Sequence, residues 1–306
     1  MGSSVKPRST MLDLLRDRTE NIRERGSRLI REFSGMHPVN EPGESCKVFN
    51  PHGDQFWDPL SPKGKQFQSQ ILPEWNRLAE LIRVVSALLP DSARRDLGDA
   101  CDSVQSPLFQ ERKTWCKTPE KAVEDFEQAI DEVLRILSDY FSGESNPPLA
   151  IPDTNALLAN PAMEDWCFEG VPCFEFVLTP TVLGELDEHK VNHRNSEVRG
   201  KAEQIIRRIK EYRRRGALHD GVTLVKGAVS LRAIAMEPDM KQTLSWLDPS
   251  NNDDRFLATS LQIIRENMGR SVFIVTRDIN MQNKAELAGI PSCEVPTGGP
   301  HADLFQ

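Results

Sequence analysis

The chain has 306 residues and a formal net charge of -8. The acidic excess is shared by both halves, so the overall composition does not indicate a nucleic-acid-binding protein, and any basic surface must be local. A chain of this length favours two domains. Its start lacks an apolar signal segment, and its sequence lacks a run of about 18 apolar residues. Its cysteines do not form a CxxC pair. We therefore expect a cytoplasmic protein with reduced thiols and no membrane-spanning helix.

The first part of the chain is predicted to be mostly α-helical. Apolar residues recur at helical spacing in residues 11–33 and 67–89, and Pro73 is expected to break the second of these helices or to start a new one. Residues 37–65, which lie between them, are rich in Pro and Gly. This composition favours a long irregular connection.

Two more helices are expected before the first domain ends. Asp91 is predicted to cap a short helix, and Thr118-Pro119-Glu120 combines a cap residue, a first-turn proline and an acid. The segment GESNPP after residue 142 favours a linker, so the predicted domains are residues 1–147 and 148–306. The first shows no recognisable chemistry, and we expect it to bind a protein partner or a second copy of the chain, or to select substrate.

The pattern changes at Leu149, where short apolar runs begin to alternate with helical stretches. This alternation predicts a parallel sheet flanked by helices. The expected strands are 149–152, 174–178, 222–225, 231–235, 271–275 and 293–295. The expected helices follow Asp153, begin at Thr179-Pro180, span 195–215, span 254–266, and begin near Asn280.

Four acidic residues fall at corresponding places in this pattern. Asp153 and Asp278 each end a strand, Glu185 lies on the helix directly after a strand, and Asp254 opens a helix. In a parallel sheet, strand ends and the helices that leave them share one edge, so these carboxylates are expected to converge. Clustered carboxylates repel one another and are relieved by a hard cation such as Mg²⁺, which prefers carboxylate, water and phosphate oxygens.

Four segments together resemble the PIN domain, a family of metal-dependent nucleases that are mostly ribonucleases. They are PDTNALL, TPTVLGELDEHK, NNDDRFLATSL and VFIVTRDINMQNKAELAGI, and they span about residues 149–296. The resemblance implies a parallel sheet flanked by helices, with acids that hold Mg²⁺ or Mn²⁺. It places Asp153, Glu185, Asp254 and Asp278 as these acids.

The resemblance also implies polar residues beside the metals and leaves one acid open. Asp253 is the alternative third acid, because it adjoins Asp254. The supporting polar residues are Thr154, Asn155, Thr276 and Asn280.

A basic segment supplies the expected RNA contacts. Lys190–Arg215 carries ten Lys or Arg residues against three Glu residues in an otherwise acidic chain. Such a local excess is typical of a track for the phosphate backbone. The predicted RNA-binding residues are Arg207, Lys210, Arg214 and, outside this segment, Lys284.

The sequence therefore predicts a metal-dependent phosphodiesterase, a ribonuclease, in which a metal-activated water attacks phosphorus. The alternative is a catalytically silent PIN fold that binds RNA or a protein. A haloacid-dehalogenase-type phosphatase would need an acid where Asn155 stands, and a dinucleotide-binding enzyme would need a GxGxxG motif, which the chain lacks.

Overall fold

The computed structural model describes residues 10–38, 55–111, 113–114, 116–143 and 146–296. These residues cluster into two compact units, one formed by Leu12–Phe141 and the other containing the described residues from Ser142 onward. The predicted division at residues 147 and 148 remains a prediction about independent domains. Within the described residues, no helix is long and apolar enough to cross a membrane.

The first unit is built from long helices beside a small antiparallel sheet. Its core includes the apolar stripe predicted for the fourth helix, where Phe126, Ile130 and Val133 are fully buried. The helices are α1 (Met11–Phe33), α2 (Pro62–Val85), α3 (Asp91–Phe109) and α4 (Pro119–Phe141). The strands are β1 (Met36–Pro38), β2 (Gln55–Trp57) and β3 (Lys113–Thr114), in the order β1-β2-β3.

The structure corrects three predictions in this unit. The stretch 37–65 is not irregular throughout, because it contributes to β1, contains β2 and already includes the start of α2; residues 39–54 lie outside the described part. Pro73 does not break α2, which continues to Val85 around a buried apolar face. Asp91 is the first residue of α3 rather than its cap, Pro90 is the cap residue, and the helix is 19 residues long rather than short.

The described residues of the second unit contain a mostly parallel six-stranded sheet flanked by helices, as predicted. All neighbouring strands in it are parallel except β6 and β7. The strands are β4 (Leu149–Pro152), β5 (Phe174–Leu178), β6 (Val222–Val225), β7 (Val229–Ala233), β8 (Val272–Val275) and β9 (Ser292–Cys293). Their order across the sheet is β6-β7-β5-β4-β8-β9.

The helices of this unit begin close to the predicted positions because their caps are local. Thr179 and Asn195 accept the first-turn N–H groups of their helices, as cap residues do. The helices are α5 (Thr154–Ala159), α6 (Pro180–Asn192), α7 (Ser196–Arg213), α8 (Asn252–Glu266) and α9 (Ile279–Ala288).

Several element boundaries in the second unit differ from the prediction, and the last strand, expected at 293–295, is Ser292–Cys293. The helix expected to open at Asp254 begins at Asn252, because Asn251 caps it by accepting the Asp253 N–H. The strand expected at 231–235 is Val229–Ala233, because it pairs in register with β5 from Phe174 to Leu178.

Candidate metal centre and its surroundings

The first two acids lie at the ends of adjacent strands. Asp153 follows β4 and caps α5, and Asp278 lies just beyond β8 and caps α9. Because β4 and β8 are paired in register up to Pro152 and Val275, both carboxylates leave the sheet at the same edge. This is the carboxyl edge, where ligands of open α/β sheets bind.

Asp153 is held by two hydrogen bonds in a buried position. Its Oδ1 accepts the Ala156 N–H at 2.6 Å, and its Oδ2 accepts the Thr276 hydroxyl. Only 7% of its surface is exposed. Burial raises the pKa of Asp153, and the nearby carboxylates of Asp278 and Glu185 raise it further, against the opposing effect of its hydrogen bonds. These effects disfavour the ionised form of Asp153, which a nearby cation would stabilise.

Glu185 is oriented from two sides. The Thr154 hydroxyl donates to its Oε2 at 2.6 Å, and the Asn252 side-chain amide donates to its Oε1 at 2.9 Å. These bonds join α6 to the start of α5 and to the first turn of α8. Each carboxylate oxygen retains a lone pair that can accept a further ligand.

Five acids line a common cavity of about 310 Å³ at this edge. They are Asp153, Glu185, Glu188, Asp253 and Asp278, and Glu188 lies one turn after Glu185 on α6. Other lining residues come from the same helix starts and from α6. These include Thr154, Asn155, His189, Asn252 and Met281.

Asp254, which was preferred as the third acid, does not line the cavity. It is 6% exposed, and its Oδ2 accepts the Asp248 N–H at 3.0 Å, which ties α8 to the loop before it. Its Oδ1 lies 2.7 Å from the Lys284 ammonium. The alternative residue, Asp253, is the one that the fold turns toward the other acids.

Lys284 occupies a different place from the one its predicted RNA contact suggests. Its Nζ pairs with Asp254 at 2.7 Å and lies 3.6 Å from Asp253. In the structure this cation therefore compensates the acidic pair at the start of α8, and contact with phosphate would compete with that pairing.

A comparison with protein families agrees with this geometry. The PIN domain family model matches residues 150–295. This segment is a PIN domain. No curated protein matches the chain. PIN domains are generally nucleases, although some are inactive, and they are generally associated with RNA, so the fold is nuclease-like.

The carboxylates at this edge of the PIN domain are donors of the kind that a hard divalent ion prefers. Among the described residues, no three Asp, Glu, His or Cys side chains are close enough to form a metal cluster. Mg²⁺ keeps several waters and typically takes one or two carboxylates plus substrate phosphate, so it does not require a complete protein cage. The charges of Asp278 and Glu185 add to the effect of burial in raising the Asp153 pKa, so these carboxylates interact electrostatically.

The predicted supporting residues of the PIN domain take different positions. Thr154 and Thr276 hydrogen-bond to Glu185 and Asp153 respectively. Asn155 lines the cavity. Asn280 donates its backbone N–H to Asp278, and its side chain is not among the cavity-lining groups of the described residues.

Asn252 is a site residue that the sequence did not single out. It stands within the NNDDRFLATSL segment, beside the acidic pair, where an amide in the first turn of a helix ordinarily suggests local capping. Its contact with Glu185, 67 residues away in sequence, gives it another role. The only local signal was its position next to two acids.

The predicted RNA-binding residues on α7 and at its C-cap are exposed. Arg207, Lys210 and Arg214 form no ion pair with the described residues, whereas Arg208 is paired with Glu164. The loop after α7 reaches the carboxyl edge, because the Leu218 carbonyl accepts the N–H of Ala233 at the end of β7. The basic C-terminal end of α7 therefore points toward the carboxyl edge of the sheet, where the acids lie.

Proposed function

We propose that this PIN domain is a metal-dependent ribonuclease that hydrolyses the phosphodiester backbone of RNA. The observation that carries the proposal is the convergence of Asp153, Glu185, Asp253 and Asp278 on one cavity at the carboxyl edge. Capping or solvent exposure could account for each of these acids by itself, but neither explains why acids from four elements line the same cavity.

In this proposal, Asp153, Glu185 and Asp278 hold Mg²⁺ or Mn²⁺, and Asp253 is the third acid in place of Asp254. The ion, when bound, supplies an activated water and stabilises charge on the phosphate. Thr276 and Thr154 keep the Asp153 and Glu185 carboxylates oriented toward the cavity, and Asn252 fixes the second oxygen of Glu185. Arg207, Lys210 and Arg214 bind the RNA backbone outside the cavity.

The decisive experiment substitutes Asp153→Asn in the full chain and assays RNA cleavage with Mn²⁺. Asparagine can keep the helix cap but loses the charge, so we expect cleavage to fall by about a hundredfold or more, as when transition-state electrostatics are removed. Asp187→Asn, on the exposed side of α6 and outside the cavity lining, is the matched control and should leave cleavage unchanged. Undiminished cleavage by Asp153→Asn would end the proposal.

Two further substitutions decide the third acid. Asp253→Asn should lose cleavage while keeping its thermal stability, because its carboxylate faces the cavity. Asp254→Asn should chiefly lower the unfolding temperature, because it removes the buried partner of Lys284. The reverse pattern would restore Asp254 as the metal-binding acid.

The second candidate is a PIN fold that binds RNA or a protein without cutting. The observation that favours it is the Lys284 ammonium, which already compensates the acids at the start of α8. Calorimetry separates the candidates, because a ribonuclease should show Mn²⁺ binding heat that disappears in Asp153→Asn. A silent scaffold should show none that depends on Asp153.

A further inference from the structure

A groove of about 630 Å³ runs between α3 and α4 in the first unit. It lies within Leu12–Phe141 and therefore belongs to the unit for which the sequence suggested no chemistry. Its size is within the range of pockets that bind small ligands or short peptide segments.

The floor of the groove is apolar. Small side chains at the contact between the two helices leave the depression open, and the buried Phe126 ring lies beneath it. The floor residues are Ala100, Pro107, Ala122, Phe126 and Ala129. Such a floor favours a ligand that buries an apolar group.

The rim of the groove is acidic, and no Lys or Arg is among its described lining residues. The rim acids are Asp96, Asp99, Asp125 and Glu132. Lys121 pairs with Asp125 at 2.9 Å, and Arg135 pairs with Glu132 at 2.6 Å. The described residues form no ion pair with Asp96 or Asp99, although the pKa of Arg135 is raised by Glu132 and, to a smaller extent, by the charge of Asp96. The α3 side of the rim therefore keeps a negative charge that is only partly compensated.

Pro107 adds an acceptor to this arrangement. It stands inside α3, where its ring nitrogen cannot donate to the carbonyl of Ser103, one turn earlier. Both residues line the groove. The Ser103 carbonyl thus lacks its usual helical donor.

We propose that this groove binds a basic, partly apolar peptide segment of a partner protein. An apolar side chain of the segment packs on the floor that Ala100 and Phe126 help to form. Lys or Arg side chains on either side of it form ion pairs with Asp96 and Asp99. Charge complementarity selects this occupant over an acidic or purely apolar segment, because among the described residues the four rim acids outnumber the two cations, Lys121 and Arg135, that pair with them. The proposal is independent of the ribonuclease activity of the PIN domain.

The test uses the full chain and a fluorescein-labelled peptide of lysine, leucine and alanine, with binding measured by fluorescence anisotropy. A peptide with glutamate in place of lysine should not bind. Asp96→Asn with Asp99→Asn should weaken binding of the basic peptide by about tenfold, as expected for losing two exposed charge pairs. Ser103→Arg, which places a cation in the groove at an exposed position, should weaken it at least as much.

The matched control is Asp17→Asn with Glu24→Gln, which removes the same charge from exposed positions on α1. It should leave the Kd unchanged, and thermal unfolding should show that all variants are folded. Equal weakening by the control would mean that the peptide binds the acidic surface without a site, and the proposal would be wrong.

Two other occupants have their own signatures, and either would overturn the proposal. If spermidine displaced the peptide at the same concentrations, the groove would take a free aliphatic cation. If Asp96→Asn with Asp99→Asn changed the sedimentation coefficient of the unliganded protein from that of a dimer to that of a monomer, the occupant would be a second copy of the chain.

Discussion

At the scale of single residues, the site depends on side chains that perform two tasks at once. Asp153 and Asp278 cap α5 and α9 through Oδ1, and both residues also line the cavity. The Oδ2 of Asp153 accepts the Thr276 hydroxyl and retains a lone pair for a further ligand. Capping and metal binding are therefore compatible interpretations of the same aspartate. The capping hydrogen bond fixes the conformation of each aspartate and so the orientation of its carboxylate.

The bond from Asn252 to Glu185 should matter for metal binding as well as for cleavage. Asn252→Ala removes the donor to Oε1 and leaves Glu185 held by Thr154 alone. Residues that orient a metal ligand typically contribute about 10–100-fold, so we expect a loss of this order in Mn²⁺ affinity by calorimetry, with a parallel fall in cleavage. Asn76→Ala, at an exposed position on α2, is the matched control. Unchanged Mn²⁺ affinity would show that Asn252 plays no part in positioning.

The raised pKa of Asp153 predicts an unusual dependence of stability on pH. Because the folded protein holds this proton more tightly than the unfolded chain, the group favours folding at low pH, and that contribution is lost as the pH rises through the folded-state pKa. Without metal at pH 7, Asp153→Asn should therefore unfold at a higher temperature than the unchanged protein. The difference should disappear near the ordinary aspartate pKa of about 3.9 and below it.

Scanning calorimetry in EDTA across this pH range measures the effect. Added Mn²⁺ should raise the unfolding temperature of the unchanged protein more than that of Asp153→Asn, because the ion stabilises the state that binds it. A variant that is less stable than the unchanged protein at neutral pH without metal would contradict this account.

At the scale of elements, α7 combines a structural face with a basic one. Ile205, Ile209 and Tyr212 are buried against the rest of the PIN domain, and the Tyr212 hydroxyl donates to Glu164, which also pairs with Arg208. The exposed cations project from the other side of the same helix. The packing thus presents Arg207 and Lys210 on the exposed side of α7, and Arg214 at its C-cap.

Neutralising this basic face should weaken RNA binding and make the binding constant less dependent on salt concentration. In an Asp153→Asn background that prevents cleavage, Arg207→Gln, Lys210→Gln and Arg214→Gln together should lower the slope of log K against log salt by about 2, since each contact with single-stranded RNA contributes about 0.7. Fluorescence anisotropy with labelled RNA measures it.

The control for the α7 variant moves the same charge change elsewhere. Lys63→Gln, Arg77→Gln and Arg95→Gln alter exposed positions on α2 and α3 and should keep the original slope. If both triple variants lowered the slope equally, the effect would be one of net charge, and α7 would have no special role.

At the scale of the whole molecule, the chain carries two cores. Residues 12–141 form one around α4, and the PIN domain forms the other around β4, β5 and β8. Units with separate cores can unfold as separate cooperative transitions. This arrangement allows metal binding to be assigned to one of them.

Differential scanning calorimetry of the full chain should resolve two transitions. Mn²⁺ should raise the midpoint temperature of one transition and leave that of the other unchanged. At a hundredfold excess over Kd, the added free energy of unfolding of the metal-binding unit should be about 2.7 kcal/mol. Asp153→Asn should abolish that shift. A single transition that moves as a whole with Mn²⁺ would contradict the predicted domain division.

Local chemistry made a large part of this structure predictable. The caps Thr179 and Asn195, the apolar stripe of α4 and the buried strand β8 are encoded by residues close in sequence, and each was predicted close to its observed place. The sheet and the common edge of Asp153 and Asp278 followed from the alternation of strands and helices. The resemblance of four segments to one family predicted the PIN domain.

The tertiary structure decided what depends on contacts between distant residues. Pro73 is accommodated because packing of the apolar face of α2 outweighs the lost hydrogen bond, and β2 forms because it pairs with strands far from it in sequence. Asp253 and Asp254 are neighbours about 100° apart on a helix, so only the packing of α8 determines which of them faces the cavity. Lys284 and Asn252 acquired their partners in the same way.

The sequence by itself therefore determined the PIN domain, its sheet, most of its caps and the edge at which its acids gather, because periodicity and capping act over a few residues. Only the tertiary structure decided that Asp253 rather than Asp254 lines the cavity, that Lys284 pairs with Asp254, and that the first unit has a groove between α3 and α4. Those outcomes depend on the packing of helices whose residues are far apart in the chain, and no local pattern records them.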